Sequence, residues 1–208
     1  MEKSKSKLRR WELALLLGVG IAAVFGVWLN GQQGDLSDKV IRLHVIANSD
    51  TQQDQTLKLQ VRDRILADAS PYLTGTDRGE AEEILTSRLP EIAEAGASAV
   101  GAAGYDYPVT VSLEETYFPT KQYTNFAFPA GEYTALRVVI GDGGGKNWWC
   151  VVFPPLCLGS VTEQVETAAA LGELDGRDVS LITGETQGYV VKFKAMELWE
   201  QFKHWAQR

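Results

Sequence analysis

The chain has 208 residues, 45% of them apolar and 23% charged, so it can bury a core and is not a disordered polyelectrolyte. Its length fits one medium domain or two small ones. A formal charge of −7 excludes a phosphate-binding surface, because nucleic-acid affinity needs an excess of Lys and Arg to release counterions; no nucleic-acid partner is expected.

The charge is unevenly placed. Lys3, Lys5, Lys7, Arg9 and Arg10 open the chain, and Leu13 to Leu29 then runs without a charge. A basic n-region followed by an apolar h-region is an export signal. The uncharged run is short for a bilayer span, which typically needs about 20 residues, and long for a signal-peptide core. No A-x-A site follows, so for residues 1–30 a cleaved signal peptide and a retained membrane anchor both stay open. On either reading residues from 31 onward work outside the membrane, as a single exported α+β signalling domain over 31–208.

Gly31 to Asp38 is a polar spacer. Val40 to Ile46 alternates as a strand, with Ile41, Leu43 and Val45 on one face and Arg42 and His44 on the other. Asn48, Ser49, Asp50 and Thr51 are cap-forming residues, and Ser49 with Gln52 has capping-box spacing. The helix that follows, over Thr51 to Ala69, sets Leu59, Val61, Ile65, Leu66 and Ala69 on one apolar arc, with Lys58 and Arg62 inside it. Their stems either snorkel over apolar surface or meet a partner.

A second helical stretch runs from Gly79 to Val100, with Thr76 and Asp77 as caps. Pro90 interrupts it, which predicts a kink or two shorter helices. Gly96, Gly101 and Gly104 mark its frayed end. From Tyr105 the composition turns β-branched and aromatic, predicting strands over Val109 to Tyr117, Tyr133 to Ile140 and Asn147 to Phe153, the last two joined by GDGGGK (Gly141 to Lys146) as a hairpin loop. Ser160 to Gly188 reads as an acidic surface excursion with a short helix over Val161 to Leu171. A strand over Tyr189 to Phe193 and a helix over Ala195 to Trp205 close the chain. The expected fold is α+β, a mainly antiparallel sheet of about five strands with helices packed on it.

Standard catalytic patterns fail on these residues. GDGGGK is one residue short of a phosphate loop and is followed by a strand. Gly96-Ala97-Ser98-Ala99-Val100 misses the last glycine of a nucleophile elbow. Asp50-Thr51-Gln52 lacks the glycine and the second copy that a carboxylate pair needs. His44 and His204, the two histidines, have no metal spacing. No cofactor motif is present. The remaining catalytic candidate pairs His44 with Cys150 or Cys157 as a thiol hydrolase; the structural alternative is a disulfide in an oxidising exterior. Seven extended steps would separate Cys150 and Cys157 by about 23 Å, against the 4.4–6.8 Å a disulfide needs, so bridging requires Pro154-Pro155 to turn the chain.

VIRLHVIANSD (Val40 to Asp50), LKLQVRD (Leu57 to Asp63), YFPTKQY (Tyr117 to Tyr123), PAGEYTALRVVIGDGGGKNWWCVVFPPLC (Pro129 to Cys157) and VKFKAMELWE (Val191 to Glu200) together closely resemble the stage II sporulation protein R family. The resemblance covers most of the exported body and is weakest in Asp68 to Gly104 and Ser160 to Gly188. It implies a non-enzymatic signal made in the forespore and exported into the space between two cells. There it activates a membrane-embedded aspartic-type peptidase that processes the sigma-E precursor of the mother cell. The competing classes are an exported thiol hydrolase acting on the cell envelope and a membrane-anchored structural protein. For a signalling role the expected partner contacts are Arg42, His44, Asn48, Asp50, Lys58, Arg62, Trp148 and Trp149. The strand-to-helix reading gathers these polar residues at one end of the sheet, and aromatic and arginine side chains dominate binding hot spots.

Overall fold

A computed structural model describes residues 11–21, 24, 36–122, 127–156 and 174. Residues 11–21 are helical, and Trp11, Leu13, Leu15, Leu16, Leu17, Val19 and Ile21 are exposed. Among the described residues no helix is long and apolar enough to cross a membrane. Apart from Val24 and the buried Leu174, the rest of the uncharged segment, the acidic excursion and the elements expected after Ser160 lie outside the described residues.

The described body is α+β. Strand β1 (Ile41–Ile46) leads into helix α1 (Gln52–Leu73), followed by α2 (Arg78–Ser87) and α3 (Leu89–Ala102). The chain then forms β2 (Val109–Phe118), a short ribbon of β3 (Lys121–Gln122) and β4 (Ala127–Phe128), then β5 (Gly131–Ile140) and β6 (Asn147–Phe153). The main sheet has the order β2-β5-β1-β6.

This order corrects the expected β5–β6 hairpin, while two of the three strand pairings are antiparallel. β1 lies between those two strands, parallel to β5 and antiparallel to β6, so the sheet is mixed. The physical reason lies in β1, whose six residues are all buried. A strand buried on both faces belongs in the middle of a sheet. The glycine-rich segment 141–146 therefore spans two inter-strand gaps, about 9.5 Å, and passes over the end of β1 instead of closing a hairpin.

One face of the sheet carries the helices. Ile41, Leu43 and Val45 of β1, Leu136 and Val138 of β5 and Val152 of β6 pack with Leu57, Val61, Ile65 and Leu66 of α1, Leu85 of α2 and Ile92 of α3. The arc of α1 thus includes Leu57, fully buried, in place of the expected Leu59, which is half-buried. The helix also runs through Pro71 to Leu73. Proline removes one backbone donor there, while burial of Leu73 holds the last turn on the core.

The N-cap of α1 is Thr51, whose side chain accepts from the Asp54 N–H, and not Ser49. Pro90 divides the second stretch into α2 and α3 by sitting in the first turn of α3, where its missing N–H costs nothing. Asp77 caps α2 in a capping box with Glu80. Gly96 is buried inside α3, well before its end.

The other face holds a second cluster: Val40, Phe118, Phe128, Tyr133, Ala135 and Val151, with Trp149 at its border. β6 ends where Pro154 and Pro155 turn the chain, and the Leu156 N–H donates to the Pro154 carbonyl at 2.7 Å.

Candidate functional site

The eight expected contact residues divide among three places. The first is the turn from β1 to α1, which segment 141–146 clasps. Gly145 N–H donates to the Ala47 carbonyl at 2.9 Å and Gly144 N–H to the Asn48 carbonyl at 3.0 Å. Asn48 Oδ1 accepts from the Asp142 N–H at 3.0 Å, and Asp50 Oδ1 accepts from the Lys146 N–H at 2.7 Å. Asn48 Nδ2 and Ser49 Oγ both donate to Asp54 Oδ2, at 2.9 and 2.6 Å. Those bonds, Ser49's above all, hold the Asp54 carboxyl below the ordinary carboxylate range.

Lys58 completes the clasp. Its Nζ, buried, donates to the Lys146 carbonyl at 2.8 Å and to Gln55 Oε1 at 2.6 Å. Burial pushes its pKa down, partly offset by Asp50. Asn48, Asp50 and Lys58 are therefore braces between the loop and the helix. Asp54 and Lys146, which the sequence reading passed over, belong to the same knot; the cap-rich spacing ahead of α1 was a signal for Asp54 alone.

The second place is the edge beside the clasp. Trp148 opposes Val45 on the helix face of the sheet. The Arg62 guanidinium lies 4.4 Å from the Trp148 ring centroid and is tied to Asp63 Oδ1, 2.6 Å from Nη2. Neither residue of this cation–π pair is fully buried, and the neighbouring Lys146 and Asn147 are exposed. Here an arginine and an indole meet at the surface.

The third place is the opposite face. Arg42 has no solvent exposure. Its guanidinium sits 4.4, 4.9 and 5.0 Å from the rings of Phe118, Phe128 and Tyr133, and Nε donates to the Cys150 carbonyl at 2.8 Å. His44 is stacked on Trp149, its cross-strand partner, at 3.9 Å and 15°. Its Nε2 pairs with Asn147 Oδ1 at 2.8 Å, and its buried Nδ1 meets no hydrogen-bond partner among the described residues.

Burial lowers the His44 pKa, and Arg137 adds to that; the Asn147 bond and Glu114 work against it. A histidine held below its unfolded value of about 6.5 leaves the fold at full stability above that pH and weakens it as pH falls toward the lowered value. We expect the melting temperature to drop between about pH 7 and pH 5, and His44→Phe, which can still stack on Trp149, to flatten that drop. Thermal melts of both proteins across this window check it; equal slopes would contradict it.

Cys150 pairs with Leu43 across the β1–β6 ladder and His44 with Trp149. Adjacent residues of a strand point to opposite faces, so the His44 and Cys150 side chains do not meet as a thiol–imidazole pair. Cys150 is moreover disulfide-bonded. Cys157 lies outside the described residues. Among those described, no cluster of His, Cys, Asp or Glu could hold a metal ion.

A family model described as stage II sporulation protein R matches residues 37–163, a span that takes in β1 to β6 and α1 to α3. The stage II sporulation protein R of Bacillus subtilis (strain 168) is 41% identical over 123 residues, covering 59% of this chain and 55% of that protein. The chain thus matches about half the length of this curated relative. No solved structure matches.

Proposed function

Because the chain belongs to the stage II sporulation protein R family, we propose that its role in sporulation is that of an exported signalling ligand. In this reading it is made in the forespore and crosses that cell's membrane by its N-terminal segment, as a cleaved signal or a retained anchor. It then activates a membrane-embedded peptidase that processes the sigma-E precursor in the mother cell. The family match over residues 37–163 is the observation that carries the proposal. Binding, not bond-breaking, is the chemistry asked of the domain.

The surface best suited to that binding is the Arg62–Trp148 pair with Lys146 beside it. Arginine and tryptophan are the side chains most enriched at interface hot spots, and the clasp beneath fixes their positions through Lys58 and Asp50. Arg42 and His44, being buried, support the fold in this reading. A Cys150–Cys157 disulfide would tie the end of β6 to the chain beyond Pro155, consistent with an oxidising exterior.

The experiment is charge reversal. Arg62→Glu loses the contact with Trp148 and sets a carboxylate beside Asp63, so it should lower the thermal melt by a few degrees, about 1 kcal/mol, and leave the domain folded at the assay temperature. It should lower sigma-E precursor processing at least about tenfold in cells that also produce the peptidase, as expected for losing a hot spot of about 2 kcal/mol. Normal processing by a folded Arg62→Glu protein would remove this surface from the proposal.

A further inference from the structure

An open groove of about 420 Å³ lies between the first half of α1 and the segment joining α3 to β2. Gln52, Gln53, Thr56 and Gln60 line the helix side, Tyr105 the other, and Leu57 contributes to the floor. Pockets for small ligands usually fall between about 300 and 1,000 Å³. In a chain with 23% charged residues, no lining residue carries a formal charge at neutral pH.

The chemistry of the walls is specific. Each glutamine amide offers two donors and an acceptor with two lone pairs, and among the described residues the side chains of Gln52, Gln53 and Gln60 make no hydrogen bond. Thr56 Oγ1 is turned back onto the Gln52 carbonyl at 2.9 Å. The Tyr105 ring stacks on Tyr107 at 5.4 Å and 25°, and both rings pack against the helix-face core. The groove therefore pairs an aromatic plane, backed by a second ring, with a row of amides that both donate and accept.

We infer that this groove binds a neutral saccharide. Sugar hydroxyls are donors and acceptors at once, which amide side chains match without charge, and the C–H face of a pyranose ring packs on an aromatic plane. An extended peptide fits less well. Strand addition needs an open sheet edge, whereas the wall here is a helix whose interior backbone bonds are already closed. An ionic ligand would find no opposite charge.

Calorimetric titration of the full chain, in a sugar-free zwitterionic detergent, with tetra-N-acetylchitotetraose tests this. Saturable binding that is insensitive to added salt is expected. The double variant Gln53→Ala/Gln60→Ala should weaken it about tenfold or more, the worth of one or two neutral hydrogen bonds, with an unchanged melt because both residues are exposed. Tyr105→Leu, which keeps apolar contact with the core, should weaken it as well. Absence of binding heat, binding that fades with salt, equal affinity in the glutamine variant, or capture of an uncharged Gly-Ser peptide in place of the saccharide would each overturn the inference.

Discussion

Replacing Arg42 with alanine is expected to destabilise the domain by about 3–5 kcal/mol, the scale of removing one partner from a buried charged network or of opening a large core cavity. Arg42 is fully buried and lies against three rings. Truncation would empty the space between Phe118, Phe128 and Tyr133 and remove the Arg42 Nε donor from the Cys150 carbonyl. Arg42→Met should do less harm than alanine, because an apolar chain of similar length refills the space. Arg42→Lys should still cost, since a compact ammonium cannot stack on three planes as a guanidinium does. Denaturant melts of the three variants check this ranking. An alanine variant as stable as the parent would mean that the cage is not part of the core.

Gly145→Ala is expected to cost about 1–3 kcal/mol, the usual range for overpacking. A Cβ at this position would stand 2.3 Å from the Ser49 carbonyl oxygen and 2.9 Å from the Ala47 side chain. Relief requires separating the loop from the β1–α1 turn, which breaks the bond from the Gly145 N–H to the Ala47 carbonyl and loosens those of Gly144 and Lys146. Gly144→Ala, whose Cβ would be 3.3 Å from the Asn48 carbonyl oxygen, should cost less. Because Arg62 and Trp148 sit beside this clasp, Gly145→Ala should also lower precursor processing at temperatures where the domain stays folded. Equal melts for the two alanine variants would show that the loop yields without cost.

Some of this architecture was legible in the residues alone. The span of β6 was read as it stands, and β1 differs by one residue at its start. Pro90 gave the break between α2 and α3, because its backbone effect is local. What escaped depends on contacts between distant segments. Nothing near Gly141 to Lys146 reveals that β1 will enter between the strands it joins; four glycines in a six-residue connection were the one hint that it is no tight hairpin. Arg42 was expected among the partner contacts, whereas it is fully buried, and the rings that enclose it come from positions 118, 128 and 133. Lys58 was rightly placed on the apolar arc of α1, but one of its two acceptors is a backbone carbonyl 88 positions away.

The signalling role is tested most directly by sigma-E precursor conversion in cells that carry the membrane peptidase and the precursor, with and without this chain. The precursor should be cut only when the chain is present, and cutting should persist with the folded His44→Phe variant, since no imidazole chemistry is required of a ligand. Conversion without the chain, or its loss in folded His44→Phe, would contradict the account.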